Sequence, residues 1–159
     1  MRALLQRVSR AAVRVGEETV ASIGPGLLIL VGVGHADDEV VAAALARRAT
    51  ELRIFADDEG RTNRSILDTG GSALVVSQFT LLADVSRGRR PSFAHAARPE
   101  YAEPMYERFC AALAGAGVRS VAQGVFGARM AVSLVNDGPV TFVVDTAPAV
   151  RFSTSDTTP

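Results

Sequence analysis

The chain contains no lysine and no tryptophan, one cysteine and two histidines. Because all seventeen basic residues are arginine, neither a P-loop, which needs a phosphate-binding lysine, nor a Schiff-base mechanism is possible. The single Cys110 cannot form an intrachain disulfide. With only His35 and His95 beside it, the chain has too few soft ligands to favour a structural zinc site. We therefore expect neither a metal nor a cofactor.

Long apolar runs and net charge are missing as well. No run approaches the roughly 18 apolar residues that a membrane-spanning helix needs. The formal net charge of +0 gives no global attraction to nucleic acid or to a membrane. The N-terminal arginines are not followed by a continuous apolar segment, so no signal peptide is predicted and the expected compartment is cytoplasmic. The serine-hydrolase motif Gly-x-Ser-x-Gly is also absent.

The composition that remains is globular, with 48% apolar and 21% charged residues over 159 positions. We expect one domain over residues 1–145 and a mobile polar tail over 146–159. The hydrophobic periodicity predicts strands within residues 1–33, 54–55, 73–80, 118–126, 129–135 and 140–144, and helices at 39–52 and 100–114. Residues 61–71 and 84–98 are predicted to be loops. This pattern indicates an α+β fold, a mostly antiparallel β-sheet or barrel with two main helices packed on it.

Residues 135–141 (Val-Asn-Asp-Gly-Pro-Val-Thr) are predicted to form a hairpin tip. Apolar residues alternate on both sides, and Asp-Gly between two such runs is a strong hairpin signal. Pro139 cannot donate to a strand ladder, and an X-Pro bond is the one peptide bond for which the cis form is accessible. Two interpretations stay open: a plain turn, or an exposed backbone segment that enters another site.

Residues 77–81 (Ser-Gln-Phe-Thr-Leu) end a predicted buried strand with two hydroxyls, an amide and an aromatic ring. Such a set can bind a polar ligand and stack on a flat one, although a strand that ends in a Ser/Thr turn has the same pattern. The cluster of Arg87, Arg89 and Arg90 is either a solvated loop or a phosphate contact, since arginine offers a planar donor fork.

Together, residues 77–81 and 136–141 resemble the two signature motifs of the D-aminoacyl-tRNA deacylases. Similar segments also occur at residues 1–8, 26–28, 53–55, 70–72, 90–93 and 132–135, so that the resemblance covers about residues 1–145. It implies a homodimeric hydrolase that cleaves the ester between a D-amino acid, or mischarged glycine, and the terminal adenosine of tRNA. In that family the Gly-Pro bond is cis and projects into the partner's active site.

The resemblance also implies a role for each site residue. The residues expected at the catalytic centre are Ser77, Gln78, Phe79 and Thr80. Those expected to read substrate chirality are Gly138 and Pro139, supported by Arg7 and Asn136. Those expected to bind the terminal adenine are Phe126 and Met130, and those expected to contact tRNA phosphates are Arg87, Arg89 and Arg90.

A mechanism follows from the chemistry of an aminoacyl ester. The ester is already activated, so orientation and oxyanion stabilisation, here from backbone N–H groups near Phe79 and Thr80, are the main requirements. The family interpretation has the ribose 2′-hydroxyl of the substrate assist. Thr80 as a covalent nucleophile is the alternative, but no side chain is evident that would activate it. The carbonyls of Gly138 and Pro139 would reject an L-residue by clashing with its Cβ.

Two other functions remain possible from the sequence. The first is a related deacylase whose Gly-Pro bond is trans and which accepts small L-residues. Arg7 and the Ser-Gln-Phe triplet favour the cis version over this one. The second is a module that binds tRNA acceptor ends without catalysing a reaction.

Overall fold

The computed structural model describes residues 1–86 and 88–146. The six strands of its main sheet are β1 (Arg2–Val15), β2 (Glu18–Ile23), β3 (Gly26–Gly32), β6 (Ser72–Ser77), β7 (Ser120–Gln123) and β8 (Met130–Asp145). A small second sheet contains β4 (Phe55–Ala56) and β5 (Thr62–Arg64). The helices are α1 (Glu39–Glu51), α2 (Ile66–Thr69) and α3 (Pro99–Gly115), and a 3-10 turn covers Phe79–Leu82.

The main sheet is mixed and has the order β2-β1-β3-β6-β7, with β8 also paired to β1. Strand β1 is antiparallel to β2, β3 and β8, whereas the β3–β6 and β6–β7 pairs are parallel. Its first half pairs with β3 and its second half with β2, so the sheet curls into a barrel-like shape around β1. The predicted α+β class is correct, but within the main sheet the antiparallel strand pairs that the structure describes are those of β1.

Alternation along β3 divides the core into two parts. Leu27, Ile29 and Val31 belong to a cluster that includes the buried faces of α1 and α3. Leu28, which is buried, and Leu30, which is half-buried, point to the opposite side, where Val13, Val76 and other apolar side chains fill the curled sheet. Because both faces of β3 are covered, its sequence is an uninterrupted apolar run, as parallel-sheet strands usually are.

The two predicted helices begin and end close to the expected positions. Asp38 caps α1 by accepting a hydrogen bond of 2.8 Å from the backbone N–H of Val41. Pro99 is the first residue of α3, a position where its missing N–H costs nothing. The face of α3 predicted from four-residue spacing, Met105, Phe109 and Leu113, is buried. No described helix has the length and hydrophobicity required to span a bilayer.

The loop predicted for residues 61–71 is wrong, because β5 and α2 lie within it. Ser65 and Asp68 form a capping box at the start of α2, in which each side chain accepts a hydrogen bond from the other residue's backbone N–H. The Asp68 carboxylate accepts from both the backbone N–H and the hydroxyl of Ser65, each over 2.8 Å, and these bonds hold the pKa of Asp68 below its usual value. Single-turn elements are too short to produce a periodic signal. The strand predicted at 118–126 is shortened to β7.

The hairpin tip predicted at residues 135–141 is also wrong. Residues 130–145 form one continuous strand, β8, that follows β1 along its whole length. The register of the two strands shifts within residues 136–141, since Val8 pairs with Asn136 and Gln6 pairs with Thr141. Strand β8 thus advances five residues while β1 advances two. Residues 137–140 form a bulge opposite Arg7 rather than a turn that reverses the chain.

Of the tail predicted to be mobile, only Thr146 lies within the described residues. Its backbone N–H donates to the carbonyl of Met1 over 3.1 Å, which extends the pairing of β1 and β8 by one hydrogen bond. Residues 147–159 lie outside the described part of the chain.

A substitution at Gly26 tests the close approach of β3 and β6. A Cβ at Gly26 would lie 1.8 Å from the carbonyl oxygen of Ser72, which is backbone and cannot move aside. We expect Gly26→Ala to lower the free energy of unfolding by about 3 kcal/mol or more, measured by urea denaturation. Gly24→Ala is the matched control, because nothing lies within 4 Å of its Cβ position. Equal stability of the two variants would contradict this packing.

Candidate active site

The turn that follows β6 presents two free backbone donors. The N–H of Gln78 donates to Val31 over 2.8 Å, which ends the pairing with β3, and the N–H of Leu81 returns to the carbonyl of Gln78 over 3.2 Å. Between them, the N–H groups of Phe79 and Thr80 donate no hydrogen bond to any residue that the structure describes. They are the first donors of a 3-10 turn, which by its geometry have no acceptor inside the turn.

A cavity of about 560 Å³ lies beside this turn and is mainly apolar. It brings Ser77, Gln78 and Phe79 together with Phe126 and Met130, the two residues predicted to bind adenine. The other residues that line it are Val33, Val76, Phe93, Ala96, Ala97, Pro99, Ala102, Gly127, Ala128 and Val132. A concave apolar wall next to a few polar groups is the usual form of a small-ligand site.

Phe79 and Thr80 stand at the exposed side of this cavity. The ring of Phe79 is half exposed and meets Phe93 edge-to-face, with ring centroids 4.9 Å apart. Thr80 is absent from the cavity lining, and its hydroxyl accepts a hydrogen bond from the side-chain amide of Gln78. The structure therefore places three of the four predicted catalytic residues on the cavity and the fourth directly beside it.

Phe126 is held by the core beneath the cavity. Its ring lies 6.0 Å from that of Tyr106, whose hydroxyl donates to the carbonyl of Val75 over 2.9 Å. Burial raises the pKa of Tyr106 well above its ordinary value, so this donor stays protonated. Met130 packs close to Gly124, where a Cβ would lie 2.7 Å from the methionine sulfur. These contacts anchor the two predicted adenine-binding side chains on a rigid base.

The bulge at Gly138 and Pro139 is exposed and braced from both sides. Arg7 donates from Nε to the carbonyl of Asp137 over 2.8 Å and pairs with the Asp137 carboxylate at 3.3 Å. The side-chain oxygen of Asn136 accepts from the N–H of Val140 over 2.8 Å. The Gly138-Pro139 peptide is cis. Arg7 and Asn136, predicted to support the pair, therefore both hold the bulge in place.

Glycine is required at position 138 by its backbone conformation. Its φ is +148°, and a Cβ there would lie 2.6 Å from Cγ2 of Val140 and 3.3 Å from an arginine nitrogen of Arg7. The bulge is therefore closely packed beneath its exposed carbonyls. A side chain at position 138 would push the bulge away from its braces.

Within one chain, the two predicted motifs do not form one site. Arg7, opposite the bulge, is level with Leu27 of β3 and through it with Ala73 of β6. Ser77 lies four residues further along β6 than Ala73, which corresponds to about 13 Å along the strand at roughly 3.3 Å per residue. Neither Gly138 nor Pro139 lines the cavity.

The arginine loop is only partly described. Arg89 and Arg90 are exposed and form no ion pair with any described residue, and Arg87 lies outside the described part of the chain. Asp84 and Ser92 close the base of this loop by two backbone hydrogen bonds of 2.8 and 2.9 Å. The side-chain and backbone hydrogen bonds of Ser86 hold the pKa of Asp84 below its ordinary value.

Sequence reasoning missed the wall of the cavity formed by Val33, Phe93, Ala96 and Ala97. Only the family resemblance of residues 90–93 pointed toward it. These residues come from two loops that a bridge between Gly34 and Ala96 joins, a contact without a local sequence pattern.

Among the described residues that line the cavity, none is acidic, basic or histidine, so none could act as a strong base. The lining does offer one hydroxyl, one carboxamide and, beside them, two backbone N–H groups that donate to no described residue. Such an arrangement can bind a flat apolar group and polarise a carbonyl oxygen. It suits the cleavage of an activated acyl compound better than that of an amide.

Comparisons with known proteins identify relatives over most of the chain. The family model described as D-Tyr-tRNA(Tyr) deacylase matches residues 4–145. The D-aminoacyl-tRNA deacylase of Roseiflexus sp. (strain RS-1) is 60% identical over 147 residues, covering 92% of this chain and 94% of the relative. That of Thermus aquaticus is 52% identical over 147 residues, covering 92% and 96%.

Two solved structures share the fold. The c-Myc DNA unwinding element binding protein superposes with a TM-score of 0.88 at 37% identity, covering 93% of this chain and 100% of its own. A probable eukaryotic D-amino acid tRNA deacylase gives a TM-score of 0.75 at 19% identity, covering 90% and 97%, and supports the fold alone. From the family match and the identity to its relatives, the chain belongs to the D-Tyr-tRNA(Tyr) deacylase family.

Proposed function

We propose that this protein hydrolyses the ester that joins a D-amino acid, or mischarged glycine, to the 3′-terminal adenosine of tRNA. The observation that carries the proposal is the pair of unpaired N–H groups at Phe79 and Thr80 beside an apolar cavity. An ester carbonyl placed there gains two donors without displacing any internal hydrogen bond. The family membership supplies the substrate class.

The two N–H groups form an oxyanion hole in this mechanism. A water molecule attacks the carbonyl carbon, and donors that are already oriented stabilise the negative charge that develops on the carbonyl oxygen without reorganisation. The bond from this carbon to the ribose 3′-oxygen then breaks, so that the amino acid leaves as its acid and the adenosine regains its hydroxyl. The adenine of the acceptor end stacks against Phe126 and Met130 and thereby places the ester at the turn. Because none of the described lining residues is a base, the ribose 2′-hydroxyl of the substrate assists the attack, and Thr80 acts as a neighbour and not as a covalent nucleophile.

Chirality is read by a second copy of the chain. The braced carbonyls of Gly138 and Pro139 lie far from the cavity of their own chain, so they enter that of a partner in an isologous homodimer. There they occupy the space that the Cβ of an L-residue would need, whereas a D-residue or glycine fits. Arg7 and Asn136 make this rejection rigid, because backbone held by several hydrogen bonds cannot yield to a methyl group.

The tRNA backbone is held by local arginines, since the chain has no net charge. Arg87, Arg89 and Arg90 are our candidates, on the loop that also contributes Phe93 to the cavity wall. Phosphates next to the terminal adenosine would meet this loop while the adenosine occupies the cavity. The substrate and the homodimeric partner are the only partners that we propose.

A deacylation assay tests the proposed activity directly. We expect the protein to release D-tyrosine from D-Tyr-tRNA and to deacylate Gly-tRNA, while L-Tyr-tRNA stays at the uncatalysed rate, because its Cβ meets the carbonyls. The measurement is loss of labelled amino acid from tRNA with time. Hydrolysis of small L-esters would indicate the related deacylase that accepts them, and binding without hydrolysis of any ester would indicate a passive tRNA module.

Complementation between two inactive variants tests the shared site. Phe79→Pro removes one oxyanion donor at a position where proline is tolerated, and Gly138→Val disrupts the bulge. Each homodimer should be inactive. After subunit exchange of an equimolar mixture, half of the dimers are mixed and each has one intact site, so activity should return to about a quarter of the wild-type value.

Phe79→Ala is the control in this experiment, because it also loses the ring but keeps the N–H donor. It should retain more activity than Phe79→Pro. Mixed dimers, verified by mass spectrometry, that show no activity would place both motifs of each site in one chain and contradict the proposal.

Salt dependence tests the arginine loop. If Arg89 and Arg90 each contact a phosphate, replacing both with alanine should weaken tRNA binding and reduce the slope of log K against log salt by about 1.4–1.8. Arg47 and Arg48, two exposed arginines of α1, provide the matched double substitution, which should leave the slope unchanged. Binding would be measured by filter retention across a salt titration, and equal slopes for both variants would exclude this loop.

A further inference from the structure

Arg2, near the start of β1, contacts both the end of β8 and the candidate catalytic turn. Its guanidinium donates two hydrogen bonds to the Asp145 carboxylate, from Nε over 2.7 Å and from Nη2 over 3.1 Å. The remaining nitrogen, Nη1, donates to the carbonyl of Leu81 over 2.9 Å. Asp145 therefore fixes the plane of the guanidinium, and the guanidinium fixes the carbonyl.

Leu81 is the residue that closes the turn. Its N–H donates to Gln78 over 3.2 Å while its carbonyl accepts from Arg2 over 2.9 Å. Both the N–H and the carbonyl of Leu81 are therefore hydrogen-bonded. Phe79 and Thr80 lie between Leu81 and Gln78, the residue to which the Leu81 N–H donates. The turn also rests on β3 at Gly32, where a Cβ would lie 2.9 Å from the carbonyl oxygen of Gln78 and 3.3 Å from the Cβ of Leu81.

The hydrogen bonds inside the turn leave its orientation incompletely defined. A 3-10 turn of four residues has few internal bonds and poor bond geometry. The bonds that join the two ends of this turn to its flanking residues, Leu81 to Gln78 and Ala83 to Thr80, are 3.2 and 3.1 Å long. Among the described residues, the bond from Arg2 is the one side-chain hydrogen bond that reaches the backbone of this turn from a different element.

We propose that Arg2 is a positioning residue for deacylation, which aims the N–H groups of Phe79 and Thr80 at the ester oxygen by holding the carbonyl of Leu81. Arg2 is absent from the cavity lining, so it acts through the turn and not on the substrate. This inference rests on the proposed function for its kinetic consequence. The Arg2–Asp145 pair is partly exposed, at 39% and 38% of the two side chains, so its main effect is on geometry and not on stability.

The test compares steady-state hydrolysis of D-Tyr-tRNA by four variants with that by the wild type. Arg2→Ala should lower kcat about 10- to 100-fold, because small misplacement of catalytic groups has effects of that size, while KM changes less than about threefold. Arg2→Lys should recover part of kcat, since an ammonium can reach one acceptor but cannot bind two with a planar fork. Asp145→Asn should lower kcat less than Arg2→Ala, because the carboxamide still accepts one hydrogen bond.

Arg14→Ala is the matched control, an exposed arginine on the same strand that has no ion pair or side-chain hydrogen bond in the described part of the chain. It should behave as wild type. Unchanged kcat in Arg2→Ala, an equal loss in Arg14→Ala, or a loss confined to KM would overturn the inference. Folding is checked by thermal unfolding, and if Arg2→Ala does not fold, the Arg2→Lys and Asp145→Asn variants decide by the same criteria.

Amide hydrogen exchange provides a readout that does not depend on activity. In Arg2→Ala, exchange of the Leu81 and Ala83 N–H groups, which are hydrogen-bonded within the turn, should be faster than in the wild type relative to that of distant N–H groups in β2, while Arg14→Ala leaves it unaltered. If the wild type fails to hydrolyse D-Tyr-tRNA, the proposed function fails and exchange alone decides the role of Arg2. Unaltered exchange at both residues would show that Arg2 does not hold the turn.

Discussion

The antiparallel ladder between β1 and β8 is the interaction on which the rest of the structure depends. Strand β1 pairs with β2 and β3 on one edge and with β8 on the other, so it connects the curled part of the sheet to the part that the helices cover. The ladder has one large irregularity, opposite Arg7. The position of the exposed Gly138-Pro139 carbonyls follows from that irregularity, because the strands on both sides of it are locked in register.

The same ladder ends beside the candidate catalytic turn. Asp145, the last residue of β8, is the partner of Arg2 both in register and in an ion pair. One strand pair therefore presents the proposed selectivity element in its middle and contacts the turn beside the cavity at its end. In the proposed dimer these two features belong to different active sites, so that one strand pair contributes to both of the shared sites.

The candidate site depends on backbone groups to an unusual degree. The proposed oxyanion donors are N–H groups, the proposed chirality filter is a pair of carbonyls, and no lining residue in the part of the chain that the structure describes is acidic or basic. Side chains such as Arg7, Asn136 and Arg2 orient that backbone and do not themselves provide the chemistry. Substitutions of these side chains should consequently act by changing the geometry of the backbone. The cleavage of an activated ester is a reaction for which such orientation alone suffices.

Local patterns predicted the parts of the fold that local physics determines. The cap at Asp38 and the proline at the start of α3 were readable because helix ends need specific residues to satisfy their N–H groups. Helix α2 and strand β5 were missed because elements of three or four residues show no periodicity. The sequence of the bulge in β8 predicts a hairpin, because Asp-Gly with flanking apolar residues has the same local signature in a hairpin and in this bulge.

By itself, the sequence determined the chemical class of the protein. The absence of lysine excluded Schiff-base chemistry, the single cysteine excluded an intrachain disulfide, and the scarcity of cysteine and histidine argued against a structural zinc site. The two motifs indicated an ester hydrolase of tRNA through their family resemblance. Only the tertiary structure decided which residues meet: that Phe126 and Met130 share a cavity with Ser77, that Gly138 lies far from that cavity, and that Arg2 reaches Leu81. Strand register determines these contacts, and register depends on pairings between residues far apart in the chain, which no local pattern encodes.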